Sequence, residues 1–420
     1  MTANLRELAR RYGVQLSYVD TAGNEQTATE EALRAVLRKR RRTTRPAADV
    51  VIVEWDGELP YGYHRRGDSM IFSAPMKAYA PPANTWGIFT PIRDVAEIAR
   101  YRRWIASLGG TYVATLPLLP SLPGERSPYS PSTRLRFESD LAIDNLYLDF
   151  PLGVNPRGND VRDHPDQFVS GVSAGAPPDA FFPQGQVWGF PPLDPDNIRA
   201  HHHEYFRACI ANHMARAGVL RIDHVMGLHR LFWVPDGMQA KDGLYVHYPA
   251  EELYAVLTIE SHRHRCAVVG EDLGTVPRYV PEAMRAHGVR RMFVVQYELK
   301  DEDPPLRDPE AASVASINTH DMPPFAAFWS QQSESMRRRV VRFVDAKSDD
   351  ALDVLEALLR WLGRSKAEIV LVNLEDLWLE TEPVNVPGQP EKSWRHQPKL
   401  GLDDVRANAT VLRLLRTIAR

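Results

Sequence analysis

The sequence predicts an α/β fold, because short apolar runs alternate with segments of helical periodicity over most of the chain. The apolar runs are continuous, which is typical of strands buried on both faces of a parallel sheet. Each run is followed by a segment long enough to hold a crossover helix. This alternation predicts a (β/α)8 TIM barrel, which takes roughly 250 residues and leaves room in this chain for additions.

Eight strand-like runs account for the barrel sheet. They begin at Trp86, Tyr112, Leu146, Val219, Ala267, Met292, Val314 and Ile369. Helices are expected over residues 94–108, 197–217, 250–265, 280–287, 333–345, 350–363 and 402–419. The second crossover departs from the pattern, because prolines between Pro117 and Pro131 block an early helix. The barrel is therefore expected to have an incomplete second crossover.

The chain before Trp86 predicts two smaller units. Residues 1–45 are expected to form an N-terminal helical module and residues 46–84 a short β-rich linker element, with the barrel over residues 85–420. Residues 3–37 have the pattern of a helical hairpin, in which Thr27 and Glu30 have capping-box spacing.

The basic run Arg38–Arg42 closes this hairpin. Such a run is either a nucleic-acid patch or a solvated helix end. The solvated end is expected, because the net charge of the chain is -3 and no other basic cluster accompanies it.

Composition restricts the function classes. The net charge of -3 gives no electrostatic reason to expect nucleic acid as a partner. No apolar run approaches the roughly 20 residues that a membrane helix needs, and the N-terminal residues lack the apolar core of a signal peptide. Cys209 and Cys266 are expected to be buried structural thiols, so the expected location is the cytoplasm.

Three acidic residues, Asp223, Glu271 and Asp321, end three of the predicted strands. Desolvating a carboxylate is costly, so a buried strand that ends in one needs a reason. In a parallel barrel the carboxyl ends of the strands form the active-site face. Two carboxylates with a third nearby can carry out retaining glycoside chemistry.

Seven motifs resemble those of one family, and they occur in that family's order. They are Ser127–Ser130, Gly175–Asp179, Gly185–Gly189, Arg221–Leu228, Gly270–Pro277, Asn318–Pro323 and Val372–Trp378. On these motifs the chain resembles the 4-alpha-glucanotransferases (amylomaltases, or disproportionating enzymes) of glycoside hydrolase family 77. The resemblance implies transfer of an α-1,4-glucan segment to the 4-hydroxyl of glucose or a maltooligosaccharide, with no cofactor and no metal.

Asp223 is the candidate nucleophile, and Glu271 is the candidate acid/base. Arg221 lies two residues before Asp223, on the same face of its strand, and is expected to keep Asp223 ionised. The alternative is a structural Arg–Asp pair in the barrel core. Burial would raise the pKa of Glu271, whereas Asp272 alternates to the other side and is expected to accept hydrogen bonds from the Gly274 turn.

Further roles follow from the resemblance. It implies that Asp321 and His320 hold hydroxyls of the sugar at the cleavage point. Asp149, at the end of the third strand, matches a family position and is expected to support Arg221 or substrate.

Aromatic and polar loop residues are candidate sugar contacts, since sugar C–H faces stack on aromatic rings. The aromatic candidates are Tyr129, Trp188, Phe181 and Phe182, and the polar ones are Asp179 and Gln186. Phe181 and Phe182 could equally be loop packing. Trp188 is expected on a mobile, exposed loop between Gly185 and Gly189.

Two histidine groups, His201–His203 and His262–His264, have spacings that suggest metal binding. Both fall on polar faces or ends of predicted helices rather than at strand ends, so no metal site is expected there.

The chain also lacks two features of the family it resembles: a glycine-rich stretch after the first strand and a long helical insertion in the second crossover. It is therefore expected to be a shortened member with a more open cleft. Two alternatives stay open, an α-glucan hydrolase that uses the same residues and an inactive glucan-binding protein.

Overall fold

The computed structural model describes residues 3–20, 23–40, 49–179 and 182–418. Its centre is an eight-stranded parallel sheet whose spatial order follows the chain. The strands are Thr85–Thr90, Tyr112–Thr115, Leu146–Phe150, Val219–Ile222, Ala267–Gly270, Arg291–Val294, Ser313–Ser316 and Ile369–Asn373; they are called the first to the eighth barrel strand. A parallel bridge between Val269 and Arg290 joins the fifth strand to the sixth and closes the sheet. The expected (β/α)8 barrel is confirmed.

Helices cover the outside of this barrel. The first crossover contains Val95–Ser107, and the third contains Asn159–Asp163, Pro195–Ala200 and Glu204–Met214. The fourth to seventh crossovers contain Ala250–His264, Tyr279–Ala286, Val295–Glu298, Phe325–Ser330, Glu334–Val344 and Ala351–Arg364, and Leu402–Ala407 with Ala409–Arg416 follow the eighth strand. Short 3-10 helices lie at Pro165–Gln167, Val225–Leu228, Ala240–Asp242 and Leu374–Trp378. In the second crossover, residues 116–145 contain no helix, as the prolines predict.

Two of the predicted helices are interrupted. The helix expected over residues 197–217 is divided because His202 and His203 adopt left-handed φ values of 52° and 56°. The closing helix is divided at Asn408, where the backbone is extended. The Asn408 side chain caps the second part by accepting hydrogen bonds from the Thr410 and Val411 N–H groups. Asparagine favours this N-cap position over the interior of a helix, so it starts a new helix here instead of continuing the first one.

The N-terminal module contains a β-hairpin that the helical-hairpin interpretation missed. Helices Ala3–Arg11 and Glu30–Lys39 flank the antiparallel strands Ser17–Val19 and Glu25–Thr27. Thr27 ends a strand, so its assignment to the cap was wrong. Thr29 is the N-cap, and its hydroxyl accepts a hydrogen bond from the Ala32 N–H at 3.1 Å.

A four-stranded antiparallel sheet stands beside the barrel and was not predicted. Its strands are Gln186–Val187, Val172–Ala176, Arg230–Pro235 and Leu244–His247, in that spatial order. Residues of the N-terminal module such as Leu33 and Val36 form one apolar cluster with Trp233 and Val246 of this sheet. The sheet therefore supports both the module and the loop that carries Trp188.

The expected β-rich linker element is a three-stranded sheet. Its strands are Val50–Glu54, Gly62–Arg66 and Ser69–Ala74, and the third lies between the other two. Phe72 joins the main hydrophobic core, which attaches the element to the barrel. Cys209 and Cys266 are buried free thiols, as expected. No helix within the described ranges is long and apolar enough to cross a membrane.

The expectation of a solvated basic run is wrong at Arg40. This side chain is 1% exposed and pairs with Asp194 at 3.2 Å and Asp196 at 2.5 Å. It also donates to the Tyr12 carbonyl at 2.5 Å. Asp194 in turn caps the helix Pro195–Ala200. Arg40 thus joins the N-terminal module to the third crossover, while residues 41 and 42 of the run lie outside the described residues.

We predict that Arg40→Met destabilises the protein, because it leaves the buried Asp194 carboxylate without its cation. Breaking a buried ion pair by removing one partner costs about 3–5 kcal/mol. Urea unfolding followed by circular dichroism measures the loss. Arg34→Met, which removes an exposed pair with Glu30, is the matched control. Equal urea midpoints for the two variants would show that the Arg40 pair contributes nothing to stability.

Candidate active site

An arginine and two aspartates form the centre of a charged cluster at the carboxyl ends of the barrel strands. Arg221 of the fourth strand lies directly beside Asp149 of the third in the strand register. Arg221 Nη1 donates to both Asp149 oxygens at 2.7 and 2.8 Å and to Asp223 Oδ1 at 3.1 Å. Arg221 and Asp149 are each only 5% exposed. The expected pairing of Asp149 with Arg221 is present.

Asp223 follows the last residue of the fourth strand. Its backbone N–H donates to the Phe150 carbonyl at 3.1 Å, which fixes its position beside the third strand. Burial, opposed by Arg221 and supported by the nearby carboxylates Asp149 and Asp321, raises its pKa to about 6. Arg221 therefore stabilises the ionised Asp223 less than the sequence predicted, because it donates two shorter hydrogen bonds to Asp149.

Glu271 follows the fifth strand, next to Asp223 in the sheet. Its Oε2 accepts from the His224 N–H at 3.0 Å, and its Oε1 accepts from the Leu273 N–H at 2.8 Å. Burial, opposed by Arg221 and supported by the Asp223 carboxylate, raises its pKa to about 7. Two backbone donors thus orient a carboxyl that stays protonated to a higher pH than Asp223.

Asp272 is structural, as expected, but its partners differ from the expected ones. It is buried and accepts from Arg291 Nε at 2.5 Å and the Met292 N–H at 3.0 Å. The Gly274 N–H donates instead to the Tyr297 hydroxyl at 2.8 Å. Asp272 therefore links the fifth strand to the sixth.

Tyr129 and His320 connect the third strand to the seventh. The Tyr129 hydroxyl donates to Asp149 Oδ2 at 2.6 Å. Its ring stacks on His320 with centroids 5.1 Å apart. His320 Nε2 lies 3.2 Å from Asp321 Oδ2. Burial acts to lower the pKa of His320, but the Asp321 carboxylate outweighs it and raises that pKa above its usual value.

Asp321 lies at the same mouth of the barrel but not at the strand end, where the sequence placed it. The seventh strand stops at Ser316, and Asp321 follows in a loop. Burial opposes its ionisation, yet His320 and Asn385 lower its pKa well below the usual range. Asn385 donates to Asp321 Oδ1 at 2.6 Å.

Asp376, buried behind this loop, fixes both of its ends. It accepts from Asn318 Nδ2 at 2.9 Å and from the Phe325 N–H at 2.7 Å. The segment between these two residues carries His320 and Asp321. Asp376 therefore holds the third carboxylate in place without touching it.

The candidate sugar contacts after the third strand lie on the rim of the antiparallel sheet. Trp188 is half-buried rather than exposed: its ring packs edge-on against His224 at 5.1 Å and stacks on Phe190 at 6.0 Å. Its indole N–H donates to Gln186 Oε1 at 3.2 Å. Asp179 Oδ1 accepts from the Phe182 N–H at 2.6 Å, and Phe181 lies outside the described residues.

Two residues of the cluster, Asn385 and Trp394, were not predicted from the sequence. The Trp394 ring lies 5.7 Å from Tyr129 and 6.1 Å from His320. Both are in the irregular segment after the eighth strand, where no strand end or helical period marks them. The only signal was a tryptophan in a polar, proline-containing loop.

The two histidine groups have structural partners. His203 is fully buried, and its Nε2 lies 2.6 Å from Glu252 Oε2. His201 Nδ1 contacts the Asn197 carbonyl at 2.8 Å, and His262 Nε2 contacts the Lys77 carbonyl at 2.9 Å. These contacts lie on the outer helices, away from the carboxyl ends of the strands.

The cluster as a whole can donate and accept protons at a partly exposed site that aromatic rings flank. Asp223 ionises before Glu271 as the pH rises, and Asp321 is ionised throughout the neutral range. Two adjacent carboxyls with different pKa values can act as nucleophile and as acid/base in one reaction.

Comparison with known proteins agrees with this chemistry. The family model for 4-alpha-glucanotransferases of glycoside hydrolase family 77 matches residues 139–401. The 4-alpha-glucanotransferase of Mycobacterium tuberculosis is 32% identical over 286 residues, which cover 60% of this chain and 40% of that protein. The Haemophilus influenzae 4-alpha-glucanotransferase is 42% identical over 185 residues, 44% of this chain and 26% of that protein. The matches thus span less than half the length of these curated relatives.

Solved structures show the same fold. The amylomaltase of Corynebacterium glutamicum superposes with a TM-score of 0.85 and 16% identity, covering 99% of each chain. The amylomaltase of Streptococcus agalactiae in complex with acarbose superposes with a TM-score of 0.58 and 19% identity, covering 65% of this chain and 56% of that one.

Proposed function

The chain belongs to glycoside hydrolase family 77, the 4-alpha-glucanotransferases, and on this premise we propose that it transfers a segment of an α-1,4-glucan to the 4-hydroxyl of an acceptor glucose or maltooligosaccharide. The observation that carries the proposal is the pair of carboxyls after the fourth and fifth strands. Burial raises the pKa of Asp223 to about 6 and that of Glu271 to about 7. Retaining transfer needs one ionised and one protonated carboxyl, and this order of pKa values supplies both.

In the first step Glu271 donates its proton to the glycosidic oxygen while an Asp223 oxygen attacks the anomeric carbon. The glycosidic C–O bond breaks, and the shortened sugar leaves with the proton. An ester then links Asp223 to the glucanosyl unit. The His224 and Leu273 N–H groups hold Glu271 for this transfer.

In the second step the Glu271 carboxylate takes the proton of the acceptor's 4-hydroxyl, and that oxygen attacks the anomeric carbon. The ester bond breaks, and Asp223 leaves as a carboxylate. Two inversions at the same carbon retain its configuration.

We assign sugar binding to the residues around this pair. The ionised Asp321 accepts hydrogen bonds from sugar hydroxyls, and His320, stacked on Tyr129, orients it. Strong charged hydrogen bonds that tighten as the ring flattens favour the oxocarbenium-like state. Asp179, Gln186, Trp188 and Arg221 complete the set, with Asp149 holding Arg221.

Two tryptophans support transfer over hydrolysis. Trp188 packs against His224, and Trp394 packs against Tyr129. Apolar walls would limit the access of water to the ester intermediate. The acceptor sugar, which binds by stacking, would compete more effectively than water for the same carbon.

Maltotriose tests the proposal directly. We predict that the full chain converts it to glucose together with longer maltooligosaccharides, resolved by chromatography. Asp223→Asn should abolish the conversion while circular dichroism stays unchanged, because the amide keeps the size but not the nucleophile. Asp236→Asn, at an exposed position, is the matched control and should convert normally.

Two outcomes would contradict the proposal. If all products are shorter than maltotriose, the reaction is hydrolysis. If the folded wild-type chain does not convert maltotriose, the protein binds glucan without catalysis. Unchanged conversion by Asp223→Asn would remove that residue from the mechanism.

The pH dependence is the next prediction. Activity requires ionised Asp223, so kcat/KM should fall as the pH drops below about 6. It also requires protonated Glu271, so kcat/KM should fall as the pH rises above about 7. The profile on maltotriose should therefore be a narrow bell between these limits.

The Asp149→Asn variant distinguishes the acid limb of this pH profile from the alkaline limb. Without the Asp149 carboxylate, the Arg221 guanidinium pairs with Asp223 alone. This pairing lowers the pKa of Asp223 and moves the acid limb to lower pH. The alkaline limb should move less. A flat profile from pH 5 to 8, or an acid limb unmoved by the variant, would contradict this assignment.

A further inference from the structure

A second cluster of ionisable side chains lies beside the eighth barrel strand, separate from Asp223 and Glu271. Glu375 is on the 3-10 helix Leu374–Trp378, directly after that strand, and Glu380 follows two residues beyond the helix. His396 returns to them from the far end of the next loop. One oxygen or nitrogen atom from each of the three lies within 4.8 Å of the other two.

The cluster is buried, and one of its carboxylate oxygens has no hydrogen-bond partner among the described residues. Glu380 is 1% exposed and Glu375 2% exposed. Glu380 Oε1 accepts from Lys399 Nζ at 2.7 Å and from the Thr381 N–H at 2.8 Å. Glu380 Oε2 is enclosed but has no hydrogen-bond partner among the described residues. Buried carboxylate oxygens nearly always have a partner, so this oxygen can accept one more contact.

The charges around the cluster favour a cation. Glu382 Oε2 lies 3.8 Å from His396 Nδ1, so three carboxylates surround the histidine. Lys399 is the nearby permanent cation, and its side chain is 56% exposed. Carboxylates together with an imidazole form a donor set that suits a metal ion.

We propose that Glu375, Glu380 and His396 bind one divalent transition-metal ion of the zinc or manganese type. Metal bonds to carboxylate oxygen or imidazole nitrogen are about 2.0–2.2 Å, so the ligand atoms of one tetrahedral ion lie about 3.3–3.6 Å apart. Ligand atoms within 4.8 Å of one another reach this spacing when each side chain moves by about 1 Å or less. Imidazole as one of three ligands favours these ions over Ca²⁺ and Mg²⁺.

Binding exchanges a proton for the ion. His396 Nε2 and Glu375 Oε1 lie 2.6 Å apart and share a proton in a hydrogen bond. The ion takes the place of that proton, which passes to solvent, while a Glu380 oxygen supplies the third ligand. Water molecules complete the coordination.

The ion would fasten the loop that reaches the active site. Glu380 and His396 bracket the segment that carries Asn385 and Trp394, and Glu375 belongs to the barrel rim. Asn385 donates to Asp321 at 2.6 Å, and Trp394 packs near Tyr129. A bound ion would hold both ends of this segment against the barrel. This consequence rests on the proposed function, whereas metal binding itself does not.

Metal binding to the full chain tests the site. The chain is stripped with a chelator and titrated with ZnCl₂ in a calorimeter, and thermal unfolding is followed in parallel. We expect about one ion per chain and a saturating rise in Tm, since an ion that binds only the folded state stabilises it. Glu380→Gln and His396→Gln should weaken binding by more than about tenfold, because even outer-shell partners of a metal are worth 10–100-fold.

Glu251→Gln is the matched control, because Glu251 and His287 form a Glu–His pair 3.1 Å apart at the surface, outside the cluster. It should bind zinc as the wild type does. No binding by the wild type, or equal binding by Glu380→Gln, would overturn the proposal.

X-ray absorption at the zinc edge covers the case in which a variant does not fold. Oxygen ligands with imidazole around zinc in the wild type are expected, and sulfur ligands would contradict the site. Loss of zinc binding with maltotriose transfer intact would overturn the fastening role alone. Absent transfer with normal zinc binding would count against the proposed function only.

Discussion

The candidate site depends on the sharing of one guanidinium between two carboxylates. Arg221 Nη1 donates to both oxygens of Asp149 and, at a longer 3.1 Å, to Asp223. Asp149 thus takes most of the positive charge, and burial leaves Asp223 with a raised pKa. A stronger Arg221–Asp223 pair would hold the carboxylate ionised but less reactive. In the proposed mechanism, the shared arrangement orients Asp223 while keeping its charge available for attack on a sugar.

The barrel supplies the positions that this sharing requires. Arg221 and Asp149 are paired residues of adjacent parallel strands, so their side chains emerge on the same face. Asp223 and Glu271 each follow the end of a strand, and backbone N–H groups orient Glu271. Only Asp321 depends on a loop, and Asp376 anchors that loop at Asn318 and Phe325. Contacts such as those of Asp376, which hold the loop that carries a site residue, give a site the rigidity that catalysis needs.

The sequence predicted those parts of the site that follow from strand periodicity. Asp223, Glu271 and Asp321 were singled out because a charge that ends an apolar run has few structural explanations, and Asp149 because it matches a position of the family that the chain resembles. Asn385 and Trp394 were missed because an irregular loop has no period, and only the fold brings it back over the barrel. The burial of Arg40 was missed for a related reason: its partners Asp194 and Asp196 are more than 150 residues away along the chain.

In the proposed mechanism the arrangement around Arg221 makes Asp223 the nucleophile. Trapping the covalent intermediate identifies the carboxylate that attacks. A Glu271→Gln variant given an α-maltosyl fluoride should accumulate the intermediate, because fluoride leaves without an acid whereas transfer to an acceptor still needs a base. Peptide mass spectrometry should then find the maltosyl group on Asp223. A label on Asp321 or Asp149, or none despite fluoride release, would contradict the account.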